Sequence, residues 1–369
     1  MNPIVKNITE EDNFLKFEIS QINVSLANAI RRVILSEIPN FVIKTSNHDK
    51  NKANIIINTT RMNNELIKQR LSCIPIHIDD DEFPFKNYII EFEKENKSNV
   101  IEYLTTKDIR IKNITNDTYL SNEDTRKIFP PDTITNDFID IVRLRPKLSE
   151  NLPGEHIKIK CNIDIGTAKE DSAFNVVSTC SYAASQDLIK INEQWFEKEK
   201  QLKKDGFDKD KIEYFRRDWM ALDAKRIIIP DSFNFIVETV GQLSNTTIVN
   251  KAIKIIIDKL NVLNNYINSN DDMLILNNNT TIDNCYDMTF QNEGYTIGKI
   301  IEYILYEKLY KNKILTFCGF NKPHPHIDVC IIRIATKDSI NKTTVKQYFT
   351  SAIDDAIDIF KKLKESFTV

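Results

Sequence analysis

Between Ser25 and Pro39 the chain reads SLANAIRRVILSEIP, and its aliphatic residues Leu26, Ile30, Val33 and Ile34 recur at helical spacing. The pattern predicts an amphipathic helix with Ser25 as N-cap and Pro39 just beyond its last turn. FLKFEI (14–19), which alternates, predicts a strand before it, and 41–44 and 54–58 predict strands after it. Strand-like runs follow at 88–92, 101–103, 139–144 and 157–163, punctuated by Pro130-Pro131, Pro146 and Pro153-Gly154. The stretch 191–226 is highly charged, with Trp195, Leu202, Ile212, Phe215 and Trp219 at helical spacing; it predicts two short exposed helices broken near Gly206.

Strand character returns at 227–240. A long helix is predicted over 248–267 from the stripe Val249, Ile253, Ile256, Leu260, Leu263 and Ile267. Polar runs at 268–272 and 277–281 predict a linker or exposed loop. The last block predicts a strand (285–291), a helix (296–310), a strand (327–335) and a long helix (343–367). The final stripe includes Phe349 and Ile353.

Two of these helices are alike. Setting Ser25-Leu26-Ala27 beside Thr296-Ile297-Gly298 brings Leu26, Ile30, Val33 and Ile34 onto Ile297, Ile301, Ile304 and Leu305. Each copy begins with a hydroxyl residue and a small residue, and each half ends in a long amphipathic helix. The repeat implies two related α+β modules, the first carrying a long insertion. Small residues near the helix starts would let the two helices approach closely. The two modules are expected to bury these stripes, with Phe349 and Ile353, against each other.

The composition bears on function mainly by exclusion. The 369 residues are 41% hydrophobic and 28% charged, with a net charge of −3. A chain that lived by neutralising phosphates would be basic. The six cysteines are scattered with no CxxC pair, and no run reaches the about 18 apolar residues of a membrane span. The opening residues lack the pattern of a signal peptide. A soluble protein of a reducing compartment is expected. No GxxxxGK[ST], GxSxG or HExxH motif occurs, so no catalytic residues are expected. Asp79-Asp80-Asp81 could suggest Mg²⁺, but its setting reads as a solvated acidic turn. Cys318, His324, His326 and Cys330 could suggest zinc, although C-x5-H-x-H-x3-C is not a usual structural spacing. A rigid Pro-flanked turn with half-buried cysteines is the plainer alternative. Arg31 and Arg32 either lie on a solvated face or contact carboxylates of a partner.

NVSLANAIRRVILSEIP and NNELIKQRLSCIPI (63–76) together resemble the α-like subunits of DNA-dependent RNA polymerases, in particular the third subunit of eukaryotic polymerase II and its archaeal equivalent. The matching residues are Asn28, Ala29, Arg31, Arg32, Glu37, Pro39, Glu65, Arg70, Leu71 and Pro75; Asn64, Gln69 and Ser72 depart from the pattern. TTKDIRI (105–111), DIVRLRP (140–146) and the stretch around Gly166 are similar to that subunit's insert domain. The clustered cysteines that hold zinc or iron–sulfur in some members are missing. NEGYTIGKIIEYIL (292–305) and FCGFNKPHPHIDVCIIRIAT (317–336) resemble the small eleventh subunit, with Tyr295 in place of its usual His.

The resemblance implies an α+β fold in which two dimerisation modules form an intramolecular pseudo-dimer, with a mainly β insert in the first. The implied boundaries are 1–77 with 227–267 for the first module, 78–226 for the insert and charged helices, 268–283 for the linker, and 284–369 for the second module. It implies a non-catalytic scaffold on which two large polymerase subunits dock through Asn28, Arg31, Arg32, Glu37, Glu65, Arg70, Pro323, His324 and Pro325. It further implies small zinc-binding subunits as partners, DNA contact only through the complex, no membrane, no cofactor in this chain, and Mg²⁺ in the catalytic subunits. Fused forms of this kind look like those of large nucleocytoplasmic DNA viruses. That would place the chain in the host cytoplasm, at the viral factory, and in the virion; otherwise the nucleus is expected. The rival reading is a free-standing metal-binding regulator or enzyme using Cys318, His324, His326 and Cys330.

Overall fold

A computed structural model describes residues 1–46, 48–80, 82–147, 149, 153–269, 274–276 and 281–367. Asp81 of the acidic run and half of the expected linker, 270–273 and 277–280, lie outside the described residues. In chain order the first elements are strands β1 (Ile4–Glu11) and β2 (Phe14–Ser20), helix α1 (Val24–Ser36), strands β3 (Asn40–Val42) and β4 (Ala53–Asn58), and helix α2 (Asn64–Ser72). Strands β5 (Tyr88–Glu95), β6 (Glu102–Thr105), β7 (Ile109–Asn113) and β8 (Thr118–Tyr119) precede helix α3 (Asn122–Ile128). Then come β9 (Asp140–Leu144), β10 (His156–Asn162), β11 (Asp164–Gly166) and β12 (Val177–Gln186). Helices α4 (Leu188–Lys204) and α5 (Lys209–Ala221) lead to β13 (Ile228–Thr239) and α6 (Asn245–Ser269). The chain continues through β14 (Leu274–Leu276), β15 (Cys285–Gln291), α7 (Tyr295–Leu305), β16 (Leu315–Asn321), β17 (Val329–Thr336) and α8 (Lys342–Ser366).

The chain divides into two compact units, one formed by Met1–Val33, Thr179–Glu238 and Val249–Val369, the other by Ile34–Ser178 and Thr239–Ile248. The first unit holds two four-stranded antiparallel sheets, ordered β1-β2-β13-β12 and β14-β15-β17-β16. Strand β2 alternates as expected, with Leu15, Phe17 and Ile19 buried. The charged helices α4 and α5, expected with the insert, fold between the neighbouring strands β12 and β13 of this unit. They close on their own core of Ile191, Trp195, Ile212, Trp219 and Ala224, with the indoles 5.6 Å apart.

The second unit is built on the five-stranded sheet β4-β10-β5-β7-β8 and two ribbons, β6-β9 and β11-β3. Its core gathers Ile90, Phe92, Ile111, Ile157 and Ile159 from the sheet with Leu104, Ile141 and Leu144 from a ribbon and Ile67 and Leu71 from α2. Gly166 is required by close approach: a Cβ there would lie 2.7 Å from the Phe174 ring and 2.9 Å from Val42.

Four local expectations are corrected. Helix α1 begins one residue before Ser25, and Asn23 supplies the cap, its Oδ1 accepting from the Ser25 amide at 2.9 Å. Thr296 is not a cap either, because α7 starts at Tyr295 and its hydroxyl is engaged elsewhere. The helix expected to reach Tyr310 ends at Leu305 and passes into one wider π turn over Tyr306–Tyr310. Gly298 also has a different role from the one its repeat position suggests. The ring of Phe320 from β16 covers it, so closely that a Cβ would lie 2.0 Å from that ring. The small residue thus seats an aromatic of its own module.

Candidate assembly interface

Within the first unit, elements of the two halves meet along a seam. Phe17 on β2 stacks face to face on Phe235 of β13, its register partner, with centroids 5.1 Å apart. The edge of Phe17 meets Phe367, which follows α8, at 5.0 Å and 79°. Strands β2 and β13 are therefore joined to the end of α8 through one aromatic trio.

The long helices add polar contacts. Asn264 Nδ2 of α6 donates to Asp354 Oδ1 of α8 at 2.9 Å, and Asn250 Nδ2 donates to the Phe367 carbonyl at 3.4 Å. Residue numbers rise along α6 as they fall along α8, so the two helices run antiparallel. Lys259 of α6 pairs with Glu293, before α7, at 3.7 Å. Lys362 Nζ of α8 donates to Asn2 Oδ1 at 2.7 Å. Burial and the nearby carboxylates of Glu307 and of Asp231 on β13 push the Tyr303 phenol up to about 12.

The residues expected to pair the modules, Leu26, Ile30, Val33, Ile34, Ile297, Ile301, Ile304, Leu305, Phe349 and Ile353, are all buried. Burying a side chain of this size stabilises a fold by about 1.5–3 kcal/mol, so such stripes suffice for a core without any ligand.

The two arginines differ in their surroundings. Arg31 is held along its own helix, its Nε and Nη2 both donating to Asn28 Oδ1 at 3.0 and 2.9 Å. Arg32 donates from Nε to Thr296 Oγ1 of α7 at 2.9 Å, which places one of its bonds on the other half of the chain rather than on water. Pro323, His324 and Pro325 lie exposed in the turn between β16 and β17. In the second unit, Glu37 is half-buried just past α1, and exposed Glu65 pairs with Lys68 at 3.4 Å. Arg70 donates to the Ile141 carbonyl at 2.7 Å, tying α2 to β9.

The four residues of the candidate metal site are not gathered. Cys330 is buried in β17, and Cys318 in β16 directs its thiol to the Glu302 carbonyl at 3.7 Å. Burial pushes both thiols up to about 12. His324 and His326 are exposed in the turn, their rings 5.1 Å apart. Among the described residues, no group of three or more His, Cys, Asp or Glu side chains is placed to hold a metal ion. Likewise no described helix is long and apolar enough to cross a membrane.

Sequence reasoning missed Phe17, Phe367, Asn264, Asp354 and Thr296 as seam residues. Phe17 and Phe367 carried a signal, since each was an apolar position on a buried stripe. The polar contacts carried none, because asparagine and threonine on a helix look alike whether a neighbour or water faces them.

Two α+β modules joined by antiparallel helices and shared aromatic residues define a dimerisation scaffold folded from one chain. The profile of the RNA polymerase Rpb3/Rpb11 dimerisation domain matches residues 16–260, and a second profile of the same description matches residues 285–366. The chain belongs to this family, with an Rpb3-like N-terminal part and an Rpb11-like C-terminal part. It is 29% identical over 294 residues to the DNA-directed RNA polymerases I and III subunit rpac1 of Dictyostelium discoideum, covering 71% of this chain and 81% of the relative. The human subunit RPAC1 is 24% identical over 68% of this chain and 80% of its own length. Subunit Rpo3 of Pyrococcus furiosus is 24% identical over 69% of this chain and 93% of its own length.

Proposed function

We infer that the chain is an Rpb3-like assembly subunit of a multisubunit DNA-directed RNA polymerase. The observation that carries this reading is the presence of both family modules in one polypeptide, joined at Phe17–Phe367, Asn264–Asp354 and Arg32–Thr296. Covalent linkage makes pairing intramolecular, so the platform forms at any chain concentration. The chain acts by positioning. Nucleotidyl transfer and its Mg²⁺ belong to the two large subunits that dock on the platform, and DNA is met only through the complex. Asn28, Arg31, Arg32, Glu37, Glu65, Arg70 and the Pro323–Pro325 turn are the proposed contacts to those subunits. The exposure of Glu65 and of the turn supports their share of the role. Small zinc-binding polymerase subunits are proposed as further partners, and the fused arrangement suggests a viral transcription system acting in the host cytoplasm and packaged in the virion.

Co-expression of the tagged chain with its cognate large subunits tests this reading. Recovery of one complex containing both is expected, and recovery of the chain alone would refute it. Reversing charge at Arg31 and Glu65 together should lower that recovery while leaving the free chain folded.

A further inference from the structure

Helix α6 carries a second apolar stripe besides the one in its core. The buried stripe runs Val249, Ile253, Ile256, Leu260, Leu263 and Ile267. Ile255, Val262 and Tyr266 repeat at i, i+7 and i+11, about a third of a turn round the helix from it and spread over about 16 Å. Ile255 is half-buried, whereas Val262 is 69% and Tyr266 44% exposed. Asn250 and Asn264, whose amides donate to the Phe367 carbonyl and to Asp354, lie on the opposite side of α6, so α8 does not cover this stripe. Facing it are Gln291, Asn292 and Glu293, where β15 passes into α7. The stripe and this turn line one groove of about 480 Å³, with buried Leu263 in its floor.

The walls of the groove are fixed before any partner arrives. The pair Lys259–Glu293, at 3.7 Å, ties the helix to the turn. Asn292 takes a left-handed backbone, with φ 59°, and its amide donates to the Asp328 carbonyl at 2.7 Å. That bond fastens the wall to the end of the turn that bears Pro323–Pro325. A preformed groove gives up little freedom on docking, which strengthens binding without added contacts. Its charge is unbalanced. Lys259 and Glu293 answer each other, while Asp258, between Ile255 and Val262 on the same face, is exposed and makes no ion pair or hydrogen bond with any described residue.

We propose that this groove receives an amphipathic helix of a neighbouring polymerase subunit, one whose apolar stripe is flanked by a lysine or arginine. Anchors at helical spacing along a straight groove suit a helix laid against a helix, and the cation settles on Asp258. A second copy of this chain is a poor occupant, because a two-fold contact through the stripe would set two such carboxylates against one another. The bond to Asp328 makes the groove continuous with the Pro323–Pro325 turn, so the subunit that meets the turn is the one placed to supply the helix. The proposal rests on the polymerase-assembly reading for the setting in which the partner is met.

The test is a photo-crosslinker, Val262→p-benzoylphenylalanine, in the full chain co-expressed with its cognate polymerase subunits. A crosslink is expected into a different subunit, in a segment with apolar residues at helical spacing and a Lys or Arg beside them. Asp258→Lys should weaken retention of that subunit by about tenfold or more, and changing the partner's basic residue to Glu should restore it. Thermal unfolding of the free Asp258→Lys chain should match the parent, since the carboxylate has no bond to a described residue to lose. Co-purification of both large subunits with position 262 crosslinking to nothing, only within this chain, or only to a second copy overturns the helix-docking groove while the assembly reading stands. Undiminished retention of the crosslinked subunit by Asp258→Lys overturns it as well. Failure of any large subunit to co-purify with the parent chain overturns both.

Discussion

Replacing Phe17 and Phe367 with leucine, singly and together, measures the bond between the two halves of the chain. Phe17 makes two ring contacts, a stack on Phe235 within its own sheet and an edge contact to Phe367 across the seam. An aromatic pair is worth about 0.5–1.5 kcal/mol beyond the area it buries. Phe17→Leu removes both contacts and should cost about 1–3 kcal/mol, whereas Phe367→Leu removes one and should cost about 0.5–1.5 kcal/mol. The edge contact is common to both variants and can be lost only once. Phe367→Leu should therefore be nearly silent once Phe17 is leucine, leaving a coupling of about 0.5–1.5 kcal/mol. The assay is urea unfolding followed by hydrogen exchange of amides in β2 and in α8, so that each side of the seam reports separately. Additivity of the two costs within about 0.3 kcal/mol would refute the contact. Loss of protection on only the mutated side would refute the pairing of the halves.

Other outcomes follow from the same geometry. Glu155 is buried, and its carboxylate holds both the guanidinium and the amide of Arg145 at 2.6 and 2.8 Å. Glu155→Ala should destabilise the insert by about 1–3 kcal/mol in calorimetry, because the Arg145 amide and its half-exposed guanidinium lose their buried acceptor. Gly166→Ala pushes a methyl group into Phe174 and Val42 and should cost about 1–3 kcal/mol, read as a lowered unfolding midpoint. Burial lowers the His77 pKa below its usual value. The folded state then binds fewer protons than the unfolded state, so the stability His77 contributes is present above the ordinary histidine range and falls as pH drops through it toward the lower folded value. Denaturation midpoints between pH 7 and pH 5 should decline less for His77→Gln than for the parent chain.

Most of the elements were legible in the sequence. The stripes of α6 and α8 have the period of a helix, and β2 has the alternation of a strand, because each element buries one face and the buried face must be apolar. The break between α4 and α5 showed as Gly206 between two charged amphipathic runs, and the Trp195–Trp219 contact follows from their shared apolar spacing. Membership of the family was legible too. Its motifs are stretches of local sequence, NAIRR and the PHP triplet among them, which need no tertiary information to read.

The seam was less legible. Thr296 resembled a helix cap in the sequence, because a hydroxyl ahead of an apolar stripe is how caps look. The structure gives that hydroxyl to Arg32, and gives the cap of α1 to Asn23. Gly298 resembled a site of helix–helix approach, whereas the Phe320 ring of its own module occupies it. The spacing of residues along the chain settles which faces are apolar, and hence that two modules with long stripes must bury them. Which partner each polar side chain meets is set by the three-dimensional packing. A hydrophobic stripe is recognisable from its own period, but a hydrogen bond such as Asn264–Asp354 depends on two residues 90 positions apart, neither of which carries any local trace of the other.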